Sequence, residues 1–332
     1  MTPTRTVIPQ TMSDGPHRRP TAPDGVVVVD KPAGWTSHDV VARMRNLAGT
    51  RRVGHAGTLD PMATGVLVVG IGRATRLLTY ITGADKEYLA TIRLGESTTT
   101  DDAEGEMLAR ADASAVTREA VHAAVVVLVG DIMQVPSAVS AIKVDGVRSY
   151  ARVRAGQAVE LPPRPVHVET FDVTDIRPAP SSCEDTQDDE MGRRTISPRL
   201  DIDVRVVCSP GTYIRALARD LGAALGVGGH LTMLRRTRVG SLTLAESRTL
   251  DALAATDPEV SLPVTSPAAA ASAVMPTRLV TDEEARELSF GRRIVRHDEP
   301  DTLAAITFDG TLIAVLSPSG AHLRPLFVLT PA

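Results

Sequence analysis

Residues 54–67 read Gly-His-Ala-Gly-Thr-Leu-Asp-Pro-Met-Ala-Thr-Gly-Val-Leu. This segment dictates a loop followed at once by a strand. Asp60 stands between Leu59 and Pro61, with Gly54, Gly57 and Gly65 around it, and the chain then turns apolar through Val66, Leu67, Val68 and Val69. Glycine lets backbone or ligand come close, and loops at strand edges are where binding groups are displayed. An Asp in a loop more often closes an Asx turn or caps a helix. The glycine frame and the following buried run favour a single presented carboxylate here.

Other segments far apart in the chain carry comparable punctuation: Gly25–Pro32 (GVVVVDKP), Asp85–Tyr88 (DKEY), Gly211–Arg215 (GTYIR) and Gly229–Arg236 (GHLTMLRR). With residues 54–67 they make five segments whose order and spacing resemble those of the TruB family, bacterial synthases that convert uridine 55 of the tRNA T loop to pseudouridine. The resemblance covers roughly residues 25–250. It implies an α+β pseudouridine synthase fold: a mixed, largely antiparallel central sheet flanked by helices, with a small PUA-like C-terminal domain.

The resemblance also assigns roles. Asp60 matches the nucleophile, and Arg215 matches the arginine that pairs with it. Burial alone would raise the carboxylate's pKa, and an adjacent guanidinium would reverse that. Tyr88 matches the ring that stacks on the flipped uracil, Tyr213 a second substrate contact, and Leu234 an apolar lining of the uracil pocket. His55, five residues before Asp60, matches the histidine that fills the space left by the base. Read without the resemblance, Tyr88 and Leu234 are packing residues and Arg215 is a surface helix arginine. Lys31, Arg235 and Arg236 are candidate RNA contacts, with Lys31 equally suited to a structural role beside Pro32. Lys143, Arg148 and Arg152 surround Tyr150 in residues 134–164, a segment that resembles a thumb-like insertion holding the T arm. The implied isomerisation imports no group and transfers no net electrons, so neither metal nor cofactor is expected.

Composition bounds the remaining choices. A chain of 332 residues with 43% apolar content can bury a sizeable core and suggests about two domains. No run approaches the roughly 18 apolar residues of a membrane span. Only Cys183 and Cys208 occur, without metal-ligand spacing, which argues against a disulfide framework or a zinc site and for a reducing, cytosolic setting. The net charge of −4 disfavours an RNA partner at first sight, but removing the acids Glu184, Asp185, Asp188, Asp189 and Glu190 turns it into +1. Thirty-three of the 36 basic residues are arginine, suited to phosphate forks and stacking, although coding bias explains such enrichment as well. The expected partner is the tRNA T arm, engaged by a monomer with no obligate protein partner and no membrane.

Along the chain, residues 1–24 read as a disordered, proline-containing tail and 25–255 as the catalytic domain. Within it, 134–164 is the RNA-gripping insertion and 178–198 an acidic, disordered loop. Residues 256–266 read as a linker and 267–332 as the PUA-like RNA-binding domain. Ser37 is expected to cap a helix with Val40, Val41, Met44 and Leu47 on one face, and Tyr213–Leu225 forms a second. Leu200–Cys208 alternates as a strand, and Asp309-Gly310 suits a primed hairpin turn. Two rival functions remain. One is a non-catalytic RNA-binding or tRNA-folding protein using the same surfaces. The other is a dinucleotide-dependent oxidoreductase, suggested by Gly70-Ile71-Gly72 after a strand, but the third glycine and a well-placed acid are missing.

Overall fold

The structure is a computed structural model that describes residues 19–137, 161–180 and 198–332, together with the backbone of four short strands between them. Among the described residues the central sheet has ten strands. Its main path runs Arg248–Thr249, Gly25–Lys31, Thr64–Ile71, Gly229–Val239, Lys86–Leu94, Leu200–Cys208, Arg164–Pro178 and Gly130–Gln134. Two neighbours on this path are parallel, Gly25–Lys31 with Arg248–Thr249 and Thr64–Ile71 with Gly229–Val239; the rest are antiparallel. The sheet is therefore mixed and largely antiparallel, as expected.

Period-two alternation decides what each face meets. Val27, Val29, Leu67, Val69, Tyr88, Ala90, Ile92, Ile202, Val204 and Val206 point into one core. The Ser37–Leu47 helix supplies Val40, Val41, Met44 and Leu47 to it, and Ile214–Ala224 supplies Ile214, Leu217, Ala218 and Leu221. The cap of the first helix is Thr36 rather than Ser37: the Thr36 hydroxyl accepts from Asp39 N–H, and the Asp39 carboxylate accepts from Thr36 N–H in a capping box. Ser37 is thereby released for a different task, described below.

On the opposite face, Val26, Val28, Val66 and Val68 pack against a second unit. Its helix Pro267–Ser272 is capped by Ser266 and carries its proline in the first turn. Its five-stranded sheet runs Thr277–Val280, Leu303–Thr307, Leu312–Ser319, His322–Val328 and Ile294–Val295. Arg73 and Arg76 on the first unit donate to the Leu329 and Val328 carbonyls, and Arg76 lies 5.7 Å over the Phe327 ring. Residues 256–266 are pinned to the central sheet: Leu262 is buried and Thr265 exchanges two backbone hydrogen bonds with Val26. The hairpin at Asp309-Gly310 does not use a primed turn. A primed type I turn needs positive φ at both central residues. Here Gly310 (φ 83°) is the left-handed residue, and its N–H closes the turn on the Thr307 carbonyl.

The dinucleotide-binding reading fails on this topology. The strand ending at Ile71 pairs antiparallel with Gly25–Lys31, and the turn after it is occupied by Asp24, whose carboxylate accepts from Arg73 N–H at 2.7 Å. Of the expected tail, residues 1–18 lie outside the described residues; Ala22 is buried and Arg19 donates to the Ala254 and Thr256 carbonyls. Within the acidic segment, Thr186–Asp188 pairs with Arg194–Ile196. Among the described residues no helix is long and apolar enough to cross a membrane.

Gly65 joins the Asp60 loop to the sheet at φ 99°, and a Cβ built on it would lie 2.1 Å from the Arg236 carbonyl oxygen. Neither the dihedral nor the neighbouring backbone can give way cheaply. Gly65→Ala should therefore lower the thermal midpoint markedly, by about 3 kcal/mol or more in unfolding free energy. A calorimetric scan within about 0.5 kcal/mol of the wild type would contradict this account of the close approach.

Candidate active site

The Asp60 loop is fixed at every residue around its carboxylate. The Ser37 hydroxyl donates to the Leu59 carbonyl at 3.1 Å and accepts from Leu59 N–H at 2.9 Å. The Pro61 carbonyl accepts from Gly34 N–H at 2.8 Å and from the Lys31 ammonium at 3.1 Å. Ala63 N–H closes the turn on the Asp60 carbonyl. The side chain of Asp60 is 36% exposed, so a carboxylate held by rigid backbone remains reachable from outside.

Arg215 enters from the first turn of the Ile214–Ala224 helix and is buried. Its Nε lies 3.0 Å from Asp60 Oδ2 and its Nη1 3.3 Å from Asp102 Oδ2, while Nη1 also donates to the Thr100 carbonyl at 2.9 Å. One guanidinium therefore serves two carboxylates. The balance on Asp60 differs from the expected reversal. Its pKa is raised above the usual carboxylate value: desolvation is the largest influence and Asp102 adds to it, with Arg215 and Lys31 acting against them. Asp102 arrives on a turn that was not among the expected site segments. Asp101 holds φ 59°, and its carboxylate accepts from the Ser137 hydroxyl at 2.6 Å. The run Ser-Thr-Thr-Thr-Asp-Asp at 97–102 was the available signal, since hydroxyls and carboxylates packed between strands satisfy one another locally.

Tyr88 is buried on the core face of its strand, opposite Arg236 in the register. Desolvation raises the Tyr88 pKa. Leu234 is buried two rungs away, opposite Ala90. Tyr213 caps the Arg215 helix. Its backbone is clamped by buried Gln134, which donates to the Tyr213 carbonyl at 3.0 Å and accepts from its N–H at 2.8 Å. His55 lies on the strand Val53–Ala56, beside Gly57 at the base of the Asp60 loop, edge-on to His38 at 5.5 Å between centroids. Burial, His38 and Arg236 push its pKa down to about 4, and its buried Nδ1 has no hydrogen-bond partner among the described residues.

Two expected RNA contacts are internal struts. Lys31 is fully buried and donates to the Pro32, Trp35 and Pro61 carbonyls; burial lowers its pKa to about 8. Arg236 is 1% exposed and donates to the Val66 and Gly57 carbonyls. Neither can meet a phosphate, because each already satisfies carbonyls that would otherwise be buried and unpaired. Arg235 is partly exposed and forks onto Asp30 at 3.1 and 2.8 Å. Lys143, Arg148 and Arg152 lie outside the residues whose side chains are described. Lys86 is a further buried cation, donating to the Thr82 and Ala84 carbonyls, with its pKa lowered to about 8 by burial.

The His55 shift sets a stability dependence. The folded value of about 4 lies below the ordinary 6.5, so the unfolded chain takes up a proton first as pH falls. Stability present above pH 6.5 is lost progressively toward pH 4. His55→Gln should lose less stability than the wild type between pH 7 and pH 5, as read from denaturant midpoints; equal losses would refute the assignment.

This geometry can be set beside known proteins. The model of the TruB family pseudouridylate synthase N-terminal domain matches residues 45–214, and two C-terminal models of tRNA pseudouridine synthases match 215–261 and 275–330. A protein named tRNA pseudouridine synthase B from Arthrobacter sp. (strain FB24) is 55% identical, over 93% of this chain and 97% of its own length. One of the same name from Thermobifida fusca (strain YX) is 53% identical, over 92% and 98%. The solved structure of an H/ACA RNP bound to a substrate RNA containing 2'-deoxyuridine has a chain of the same fold, with TM-score 0.65, 24% identity, and coverage of 92% of this chain and 85% of that one. The chain belongs to the TruB family of pseudouridylate synthases.

Proposed function

We propose that this enzyme converts uridine 55 in the T loop of tRNA to pseudouridine, with Asp60 as the nucleophile. The observation that carries the reading is a partly exposed carboxylate, Asp60, paired with buried Arg215 on a loop held at Leu59, Asp60 and Pro61. The names of the relatives at 53–55% identity supply the tRNA substrate.

The reaction breaks the bond from C1′ to N1 of uracil, turns the base and forms the bond from C1′ to C5, after which C5 gives up its proton. Asp60 acts in its charged form, by adding to C6 of the base or by taking C1′ of the sugar; either way it forms one bond and later releases it. Arg215 keeps that charge near the reacting carbons and fixes the carboxylate's direction. The base has to leave its stack to reach Asp60, at a cost of a few kcal/mol. The buried ring of Tyr88 and the side chain of Leu234 form the apolar wall that receives it, and neutral His55 is suited to the space it vacates. The enzyme acts as a cytosolic monomer in this reading, without metal, cofactor or obligate protein partner.

The test is tritium release from C5-labelled uridine placed only at position 55 of an unmodified T arm. Wild type should release the label, and Asp60→Asn should fall by at least about 10⁴-fold, as when a covalent nucleophile is removed. Tight RNA binding without release by the wild type would instead favour a non-catalytic RNA-binding protein. The raised Asp60 pKa adds a second expectation. The charged form is lost as pH falls, so the acidic limb of kcat/KM should lie above the ordinary carboxylate value of 3.8. A limb at or below that value would contradict the assigned electrostatics.

A further inference from the structure

Around Lys31, whose ammonium holds the Pro61 carbonyl of the Asp60 loop, lies a cleft of about 380 Å³. Asp30, Lys31, Trp35, Thr64, Arg235 and Thr249 are among its lining residues. Its size falls within the range that holds small organic groups. Three features indicate what it takes. Trp35 is 38% exposed at the rim, although Trp is costly to leave wet unless its face is used. Across the cleft, Arg235 is tied to Asp30 at 3.1 and 2.8 Å and to the Thr64 hydroxyl at 3.2 Å. A guanidinium tied down in this way presents a fixed plane, and Arg planes stack on bases as aromatic rings do. Thr249 and Asp251 also line it; the Thr249 hydroxyl accepts from Ala252 N–H as a helix cap and keeps its own hydrogen to donate, and a carboxylate such as Asp251 can accept from a base amino group or a ribose hydroxyl.

The cleft is also coupled to the site already described. The Lys31 ammonium donates to the Trp35 carbonyl at 2.6 Å and to the Pro61 carbonyl at 3.1 Å. The backbone that carries Trp35 is thus tied through one cation to the residue next to Asp60.

We propose that the Trp35 cleft is a second nucleotide subsite, in which an unpaired base of the substrate RNA stacks on Trp35 beside the Arg235–Asp30 plane while the target uridine occupies Asp60. The subsite rests on the reading that the substrate is RNA. It sets affinity and register rather than the chemical step, so Trp35 is a binding residue. Stacking on one aromatic ring tolerates any base; discrimination comes from the polar wall.

The chain contains a single tryptophan, so its emission reports this cleft alone. Asp60→Asn protein is titrated with an unmodified T-arm hairpin, with anisotropy of a labelled hairpin recorded in parallel. Saturable quenching of Trp35 with the same midpoint as the anisotropy is the expected result. Binding seen by anisotropy with unchanged emission overturns the subsite, as does the absence of hairpin binding by both readouts. In the otherwise wild-type enzyme, Trp35→Ala should raise KM about tenfold, the order lost with one base–aromatic stack, with kcat within about twofold, and Trp35→Phe should stay near wild type. A fall in kcat at unchanged KM, or equal loss in the Phe and Ala variants, would mark Trp35 as a support of the Lys31 strut instead. Failure of the wild type to release tritium would remove the functional reading, whereas the titration judges the subsite independently of turnover.

Discussion

One buried guanidinium facing two carboxylates is the constraint on which the site depends. Arg215 reaches Asp60 with Nε and Asp102 with Nη1, and both the arginine and Asp102 are almost wholly removed from water. Burying such ions is expensive, and the pairing offsets that expense only when the geometry is good and the remaining donors are used. The Thr100 carbonyl takes one of those donors, and the Asp102 carboxylate also accepts from Glu104 N–H. The arrangement explains why Asp60 is not driven to a very low pKa by its arginine. A cation shared with a second acid neutralises each only in part, and desolvation then prevails. A carboxylate in that balance retains nucleophilicity that a fully compensated ion would lose.

The same logic runs through the other buried cations. Lys31 and Arg236 point at backbone carbonyls of the Asp60 loop and its flanks, and Lys86 at the carbonyls that end the Leu78–Gly83 helix, not at solvent. Loops cannot satisfy their own carbonyls as strands do, and a loop held close to a core would leave them unpaired. A long basic side chain reaching from a neighbouring strand solves the problem with one group. Arg236 joins Gly57 and Val66 in this way, and its strand pairs with the one that carries Tyr88, so the Asp60 loop and the Tyr88 strand are braced from the same position.

The sequence made the sheet and the Asp60 loop legible because both follow from local rules. Alternation defines Leu200–Cys208, a continuous apolar run defines Gly25–Lys31, and glycines bracket Asp60. The helix that carries Arg215 and the apolar stripe behind it were equally readable, to within a residue at each end. What escaped was pairwise and non-local. Ser37 reads as a cap because Ser is a good cap, yet Thr36 takes that place and Ser37 bonds Leu59, 22 residues away. Asp102 reads as loop polarity until the fold sets it against Arg215. Arg236 reads as an RNA contact because free cations suit phosphates, Lys31 reads equally as contact or support, and nothing local says that carbonyls from residues 57–66 will claim them.

Charge is the clearest case of sequence counting that the fold reinterprets. Many arginines that would suggest an RNA surface are matched on the solvent-facing side of the sheet: Arg93 with Asp201, Arg177 with Asp203, Arg205 with Glu87 and Asp172, and Arg235 with Asp30. These cross-strand pairs stabilise the register modestly and commit those arginines to neighbouring carboxylates. An arginine total therefore says little about phosphate affinity in this protein. Where cations are committed internally, RNA recognition has to lean on shape, on splayed bases and on exposed planes that can stack. Such a surface gives up electrostatic grip and gains discrimination, because a base enters a cleft only where the RNA fold has already freed it.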